Sequence, residues 1–120
     1  MRFEGKIIPG RGIGRQLGYP TLNFEIPENL NIEPGVFAAR LFLNEQELPA
    51  VLFFGNRKTF DDQLALEIHV LDDFGAAPTE AGFEILDKIR GVEKFENAEE
   101  LKKQIQKDCT AARKIFNYEF

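Results

Sequence analysis

The residues with the clearest chemical potential are four glycines and two arginines within PGRGIGRQLGYPTLN, residues 9–23. Glycine reaches backbone conformations that other residues avoid, so such a loop can aim several N–H donors at one anion. Residues 5–24 contain no Asp or Glu, although the chain has 20 acidic residues and a formal net charge of −5. This local basic loop indicates phosphate binding, and a solvated turn is the alternative. The candidate phosphate-binding residues are Gly10, Arg11, Gly12, Gly14, Arg15, Gly18 and Pro20.

Two common phosphate-binding motifs do not account for this loop. The P-loop pattern G-x-x-x-x-G-K-[ST] is absent. The spacing of Gly10, Gly12 and Gly14 resembles the start of a dinucleotide fingerprint, but that fingerprint must open a helix. Here the loop runs into Pro20, and a residue before proline is pushed towards extended geometry. We therefore expect the glycines to be followed by a strand.

Thr21 and Asn23 are candidate metal ligands. In the alternating segment TLNFEI they lie two residues apart, so a strand would place the hydroxyl and the amide oxygen on one face. Mg²⁺ accepts oxygen ligands, commonly one or two from protein and the others from phosphate and water. Two polar residues on a solvent-exposed face are the alternative interpretation.

Glu67 is the candidate catalytic carboxylate. It lies beside His69, the only histidine, on the more polar face of the apolar strand LALEIHVL. A general base or a solvated carboxylate would both fit this pattern. Gly55, Asn56 and Arg57 begin a second basic loop, which is either a further nucleotide contact or an ordinary turn.

Six strands and one helix would position these groups. The helix, of about 18 residues, follows Asn97, a suitable N-cap, with Glu99 and Glu100 in its first turn and Cys109 on its inward face. Twelve phenylalanines and no tryptophan suggest a small β-barrel filled by Phe, with the helix packed across it. The predicted strands span residues 3–8, 21–26, 35–43, 48–54, 64–71 and 82–90, with a turn at residues 44–47.

Composition restricts the setting and the partners. We expect residues 1–120 to form one domain, large enough for a single core but not for two. The single cysteine fits a reducing, cytoplasmic location. The N-terminus lacks a signal-peptide pattern, and no apolar run could span a bilayer. The acidic balance argues against nucleic-acid binding. We expect a monomer that binds small anionic ligands. We expect no association with a membrane.

The order of these motifs resembles the riboflavin kinase domain, in bacteria typically the C-terminal half of the bifunctional riboflavin kinase/FAD synthetase. GYPTLN is similar to the family's Gly-Phe-Pro-Thr-Ala-Asn signature, and LEIHVLD follows at the right distance. GNRKTF, KIRGVEKF and a helix containing KKQIQKDCTAAR extend the resemblance over residues 6–115. It implies an all-β fold, a six-stranded antiparallel Greek-key barrel with a C-terminal α-helix.

The resemblance also implies an activity, the phosphorylation of riboflavin by ATP and Mg²⁺ to give FMN. By this carry-over the glycine loop holds nucleotide phosphates, Thr21 and Asn23 help to hold Mg²⁺, and Glu67 is the base for the ribityl 5′-hydroxyl. Phosphoryl transfer depends mainly on positioning and on neutralising charge over the phosphate oxygens, which suits these residue types.

A second hypothesis is a barrel of the same origin that binds flavin or nucleotide without catalysis. Phe53 stands where the family usually has the Asn of an Ala-Asn-Ile-Gly run, and residues 74–79 differ from the family's Asp-Leu-Tyr-Gly-like element. The 120 residues contain no adenylyltransferase half, so we do not expect them to convert FMN to FAD.

Overall fold

The computed structural model describes residues 2–8, 21–56, 64–72 and 79–119. In these ranges six strands form a closed barrel in the order β1-β2-β5-β4-β3-β6, and all neighbouring strands are antiparallel. This confirms the predicted six-stranded barrel with a C-terminal helix. The elements are β1 Arg2–Ile8, β2 Thr21–Phe24, β3 Gly35–Leu43, β4 Gln46–Asn56, β5 Leu64–Val70, β6 Glu80–Arg90 and α1 Ala98–Glu119.

The barrel interior is filled by the apolar residues that alternate along each strand. Leu22 and Phe24 of β2 point inward with Leu66 and Ile68 of β5, so the intervening residues of both strands point outward. Phe83 stands at the centre, with its ring centroid 5.4 Å from that of Phe3 and 5.3 Å from that of Phe24. Four phenylalanines are thus among the buried core residues, and leucine, alanine, isoleucine and valine supply the others.

A second apolar cluster lies outside the barrel, where α1 covers β3 and β4. We call it the outer-face cluster, and its buried members are Val36, Ala38, Val51, Ile105, Cys109, Ala112 and Phe116. The Asn97 side chain caps the helix by accepting a hydrogen bond from the Glu100 N–H at 2.9 Å. The helix is longer than predicted, 22 residues rather than about 18, because Phe116 still packs against the barrel near its end.

The β3–β4 connection differs from its prediction. The predicted turn covers residues 44–47, whereas the structure turns within Asn44 and Glu45, whose φ angles are 47° and 67°. Two consecutive positive φ values are typical of the tight hairpin turn whose twist matches the flanking strands. Gln46 therefore already pairs with Leu43, and β4 begins two residues earlier than expected.

Other strand ends also differ by a few residues. β2 ends at Phe24 rather than at residue 26, β4 extends to Asn56, and β6 begins at Glu80. The last two extensions follow from cross-strand hydrogen bonding to Leu64 and Lys6, which alternation within one strand does not reveal. Within the described ranges, no helix is long and apolar enough to cross a membrane.

Candidate active site

The pairing of β2 with β5 brings three of the predicted site residues together. Asn23 lies directly opposite Glu67, and Thr21 lies directly opposite His69. Directly opposed residues project from the same face of a sheet, here the outer face of the barrel. The strand pairing therefore gathers a hydroxyl, an amide, a carboxylate and an imidazole from two chain segments that lie far apart in sequence.

Two apolar residues flank the Asn23–Glu67 pair. On one side Ile8 of β1 pairs with Asn23, and on the other Phe53 of β4 pairs with Glu67. Phe53 is partly buried and packs against the outer-face cluster. The half-buried Glu67 thus stands between an amide and an aromatic side chain.

The glycine loop leaves and rejoins the barrel at this row of residues. Gly10, Arg11, Gly12, Gly14, Arg15, Gly18, Pro20 and also Arg57 lie outside the described residues, so their roles stay predictions. The strands on either side are described. Ile8, which ends β1, pairs with Asn23, which in turn pairs with Glu67. Both ends of the segment 9–20 therefore start from the immediate neighbourhood of the candidate base.

Gly55 and Asn56 lie at the end of β4. Gly55 has a φ of 149°, and a Cβ at this position would approach Cγ2 of Val92 to 2.8 Å. Both the backbone conformation and the close packing require glycine here. This structural requirement holds whether or not Gly55 contacts a nucleotide. Asn56 is exposed and pairs with Leu64, and a nucleotide contact stays a prediction for both residues.

Thr21 and His69 are joined by a hydrogen bond between Oγ1 and Nδ1 of 3.0 Å. The imidazole is only 7% exposed. Burial lowers the pKa of His69 from 6.5 to about 4, and the nearby Asp108 carboxylate partly opposes this shift. At neutral pH the ring is uncharged, so one of its nitrogens can accept a hydrogen bond and the other can donate one.

Asp108 of α1 anchors the helix over this side of the barrel. Its carboxylate accepts two hydrogen bonds from the Arg90 guanidinium, from Nε at 2.9 Å and from Nη2 at 2.9 Å. Gln104 Nε2 donates a third at 3.1 Å. The Asp108 side chain is 3% exposed and that of Arg90 15%, so the carboxylate is buried and the guanidinium is largely shielded from water.

Sequence reasoning missed Asp108, Arg90 and the Thr21–His69 contact. A signal for Asp108 was present in the helix pattern, because it lies three residues after Ile105 and next to Cys109, on the apolar stripe. An acidic residue on such a stripe is buried and therefore needs a partner. The partner itself could not be read from the local pattern, since Arg90 belongs to β6.

The lowered pKa of His69 predicts an acid-sensitive stability. Between the unfolded pKa of 6.5 and the folded value of about 4, the unfolded chain binds a proton that the folded chain excludes. The contribution is therefore present above pH 6.5 and is lost as the pH falls towards 4. From pH 7 to pH 5 we expect the free energy of unfolding to fall by about 2 kcal/mol more in the wild type than in His69→Gln.

Urea unfolding of both proteins at the two pH values measures this difference. His69→Gln keeps a side chain that can hydrogen-bond to Thr21 but does not titrate, so it is the matched control. Equal losses of stability in the two proteins would show that the imidazole is not held in its neutral form.

Comparison with known proteins identifies the family of this chain. The family model for riboflavin kinase, Flavokinase, matches residues 1–116. The chain belongs to the riboflavin kinase family. The bifunctional riboflavin kinase/FMN adenylyltransferase of Haemophilus influenzae is 33% identical over 119 residues, which cover 97% of this chain and 39% of that protein. The RNA-binding riboflavin kinase RibR of Bacillus subtilis is 32% identical over 119 residues, 95% of this chain and 50% of that protein.

A solved structure supports the same fold. The riboflavin kinase of Trypanosoma brucei superposes with a TM-score of 0.62 at 20% identity, covering 97% of this chain and 79% of that one. At this identity the likeness concerns the fold alone. The chain spans 39% of the Haemophilus influenzae protein and 37% of its Escherichia coli K12 counterpart. The match of the family model to residues 1–116 confirms the resemblance of the motifs to the riboflavin kinase family.

Proposed function

We propose that this chain transfers the γ-phosphoryl group of ATP to the ribityl 5′-hydroxyl of riboflavin and so produces FMN and ADP. The observation that carries the proposal is the direct pairing of Asn23 with Glu67. The pairing supports the proposal because an amide oxygen suits a phosphate-bound cation and a neighbouring carboxylate suits acceptance of a proton. Membership of the riboflavin kinase family supports the choice of substrate.

Glu67 is the proposed general base. In this reaction the ribityl oxygen forms a bond to the γ-phosphorus, the bond from that phosphorus to the bridging oxygen breaks, and ADP leaves. The hydroxyl proton passes to the Glu67 carboxylate. Phe53 and Asn23 pair with Glu67 on its two sides. Their side chains would limit the directions from which the alcohol approaches the carboxylate. A positioned base contributes about 10²- to 10⁴-fold to such a rate.

Thr21 and Asn23 fit a magnesium ion that arrives with the nucleotide. Their oxygens are uncharged, lie on one face of β2 and are half-buried. Two protein oxygens with phosphate and water completing the octahedron is a common arrangement for Mg²⁺ at nucleotide sites. When bound there, the cation would neutralise charge on the phosphate oxygens. The glycine loop would donate backbone N–H groups to the same phosphates. Arg11 and Arg15 in this loop would supply positive charge near them.

The test is product formation from riboflavin and ATP. We expect FMN and ADP in equal amounts, resolved by liquid chromatography, with no ADP when either riboflavin or divalent cation is omitted. Omission of riboflavin controls for ATP hydrolysis. If ADP forms without FMN, or neither forms while the protein is folded, the proposal is wrong.

A second candidate function is flavin or nucleotide binding without catalysis, and the position of Phe53 favours it. This aromatic ring stands opposite Glu67, where the family resemblance implies an asparagine. Thermal-shift titration with riboflavin, FMN and ATP with Mg²⁺ separates the cases, since ligand at 100 times its Kd stabilises by about 2.7 kcal/mol. Stabilisation by riboflavin without product over hours would support the binding role.

A further inference from the structure

His69 is a buried polar side chain that the proposed reaction does not use. Among the described residues, His69 and Asp108 are the buried polar or charged ones. Asp108 is accounted for by Arg90 and Gln104, which hold α1 on the barrel. His69 instead contacts a candidate metal ligand, Thr21. Burial of an imidazole costs free energy unless its nitrogens are hydrogen-bonded. The contact with Thr21 satisfies Nδ1 and joins His69 to the candidate metal site.

The direction of the Thr21–His69 hydrogen bond determines what the hydroxyl can offer to a cation. A threonine hydroxyl has one hydrogen to donate and two lone pairs to accept with. If His69 Nδ1 donated to Oγ1, it would occupy one of the two lone pairs and leave the hydroxyl hydrogen free to point towards the cation. If Nδ1 accepts instead, the hydrogen turns to the ring and the lone pairs turn away from it. The second arrangement suits coordination better, because it leaves both lone pairs available and fixes the hydrogen away from the cation.

We propose that His69 is a positioning residue for the metal site: its Nδ1 accepts the Thr21 hydroxyl hydrogen, so that Oγ1 presents its lone pairs to a divalent cation bound with the nucleotide. The inference rests on the proposed function in one respect, the assignment of Thr21 as a metal ligand. His69 itself touches neither cation nor substrate in this scheme and acts through Thr21.

The surroundings of His69 suit this role because they restrict the ring. It stands between Thr21 of β2 and Val51 of β4, directly opposite both in the sheet. Val51 belongs to the outer-face cluster under α1, and the Asp108–Arg90 ion pair holds the helix to β6. A ring enclosed in this way keeps one orientation, and residues of this kind that orient metal ligands typically change metal affinity by about 10- to 100-fold when mutated.

Binding of Mn²⁺ in the presence of ADP tests the proposal without requiring turnover. Manganese reports its own binding by electron paramagnetic resonance, because the signal of the free ion is lost on binding, and a titration of ADP alone gives the Mn²⁺ uptake to subtract. We expect His69→Leu to raise the Kd of Mn²⁺ for the protein–ADP complex by about 10- to 100-fold. His69→Asn should restore most of the affinity, because its amide oxygen can accept near the position of Nδ1. The affinity for riboflavin should be the same in both variants.

Variants of Thr21 supply the second arm. Thr21→Val removes the hydroxyl and should weaken Mn²⁺ binding at least as much as His69→Leu, whereas Thr21→Ser should bind nearly as the wild type does. In the double variant with Thr21→Val, His69→Leu should have no further effect, since there is no hydroxyl left to orient. Circular dichroism establishes that each variant is folded. If His69→Leu does not fold, His69→Phe replaces it, because its ring fills the same space but cannot accept the Thr21 hydrogen bond.

The outcomes separate this inference from the proposed kinase activity. Unchanged Mn²⁺ affinity in folded His69→Leu overturns it, as does an equal loss in His69→Leu and His69→Asn accompanied by weaker riboflavin binding, which would indicate a purely structural role. A wild-type protein that takes up no Mn²⁺ with ADP, or a Thr21→Val variant with wild-type affinity, also overturns it. Normal Mn²⁺ binding without FMN production would refute the kinase proposal and leave the role of His69 intact.

Discussion

Replacement of Glu67 by glutamine is expected to lower kcat for FMN formation by about 10²- to 10⁴-fold while riboflavin binding is retained. Glutamine has nearly the size of glutamate and can still contact Asn23, its partner across the β2–β5 pair. It cannot take up the hydroxyl proton. The loss therefore falls on the chemical step, and kcat should change far more than the Kd of riboflavin.

Steady-state assays of FMN formation and a fluorescence titration of riboflavin measure the two quantities separately. Glu47→Gln is the matched control, because Glu47 is an exposed strand glutamate on β4. It lies beside the β3–β4 turn, at the opposite end of β4 from Phe53, which pairs with Glu67. It should leave both quantities unchanged. A Glu67→Gln variant with near wild-type turnover would refute the role assigned to this carboxylate.

Truncation of Asp108 to alanine is expected to produce the largest loss of stability, about 3–5 kcal/mol. The change removes the two hydrogen bonds that Arg90 donates to the carboxylate and leaves its guanidinium, only 15% exposed, without that carboxylate. It also removes the acceptor of the Gln104 amide. A buried charge that loses its partner costs more than the pair contributes, because desolvation is no longer offset.

Two further variants serve as references for the loss of stability in Asp108→Ala. Glu4→Gln breaks the exposed Arg2–Glu4 pair, whose side chains are 53% and 70% exposed, and should cost less than about 1 kcal/mol. Arg90→Met combined with Asp108→Leu replaces the buried pair by apolar side chains and should recover most of the loss. Urea unfolding measures all four proteins. A loss below about 1 kcal/mol in Asp108→Ala would show that the ion pair is not buried as the structure has it.

The local elements could be read from the sequence because their signals are local. The alternation of Leu66 and Ile68 in β5 follows from the two-residue period of a strand, and the capping of α1 by Asn97 follows from its unpaired N–H groups. The strand ends were less accessible. The two-residue turn at Asn44 and Glu45 and the extension of β4 to Asn56 depend on what each strand pairs with.

For the candidate site, too, local patterns predicted some features and the tertiary structure determined the others. Residue types and spacing singled out Thr21, Asn23 and Glu67, and resemblance to the riboflavin kinase family supplied their expected roles. Their proximity is a matter of tertiary structure, because β2 pairs with a strand that follows two others in the chain. No pattern within either strand specifies that Asn23 meets Glu67 rather than a neighbour.

By itself, then, the sequence determined the elements, the barrel class and the residue types that phosphoryl transfer would need. Tertiary structure alone decided that His69 is buried against Thr21 and that Asp108 meets Arg90. The physical reason is one of range. Periodicity and capping are set by the backbone geometry of neighbouring residues, whereas strand register and helix docking are set by which apolar faces the whole chain can bury together.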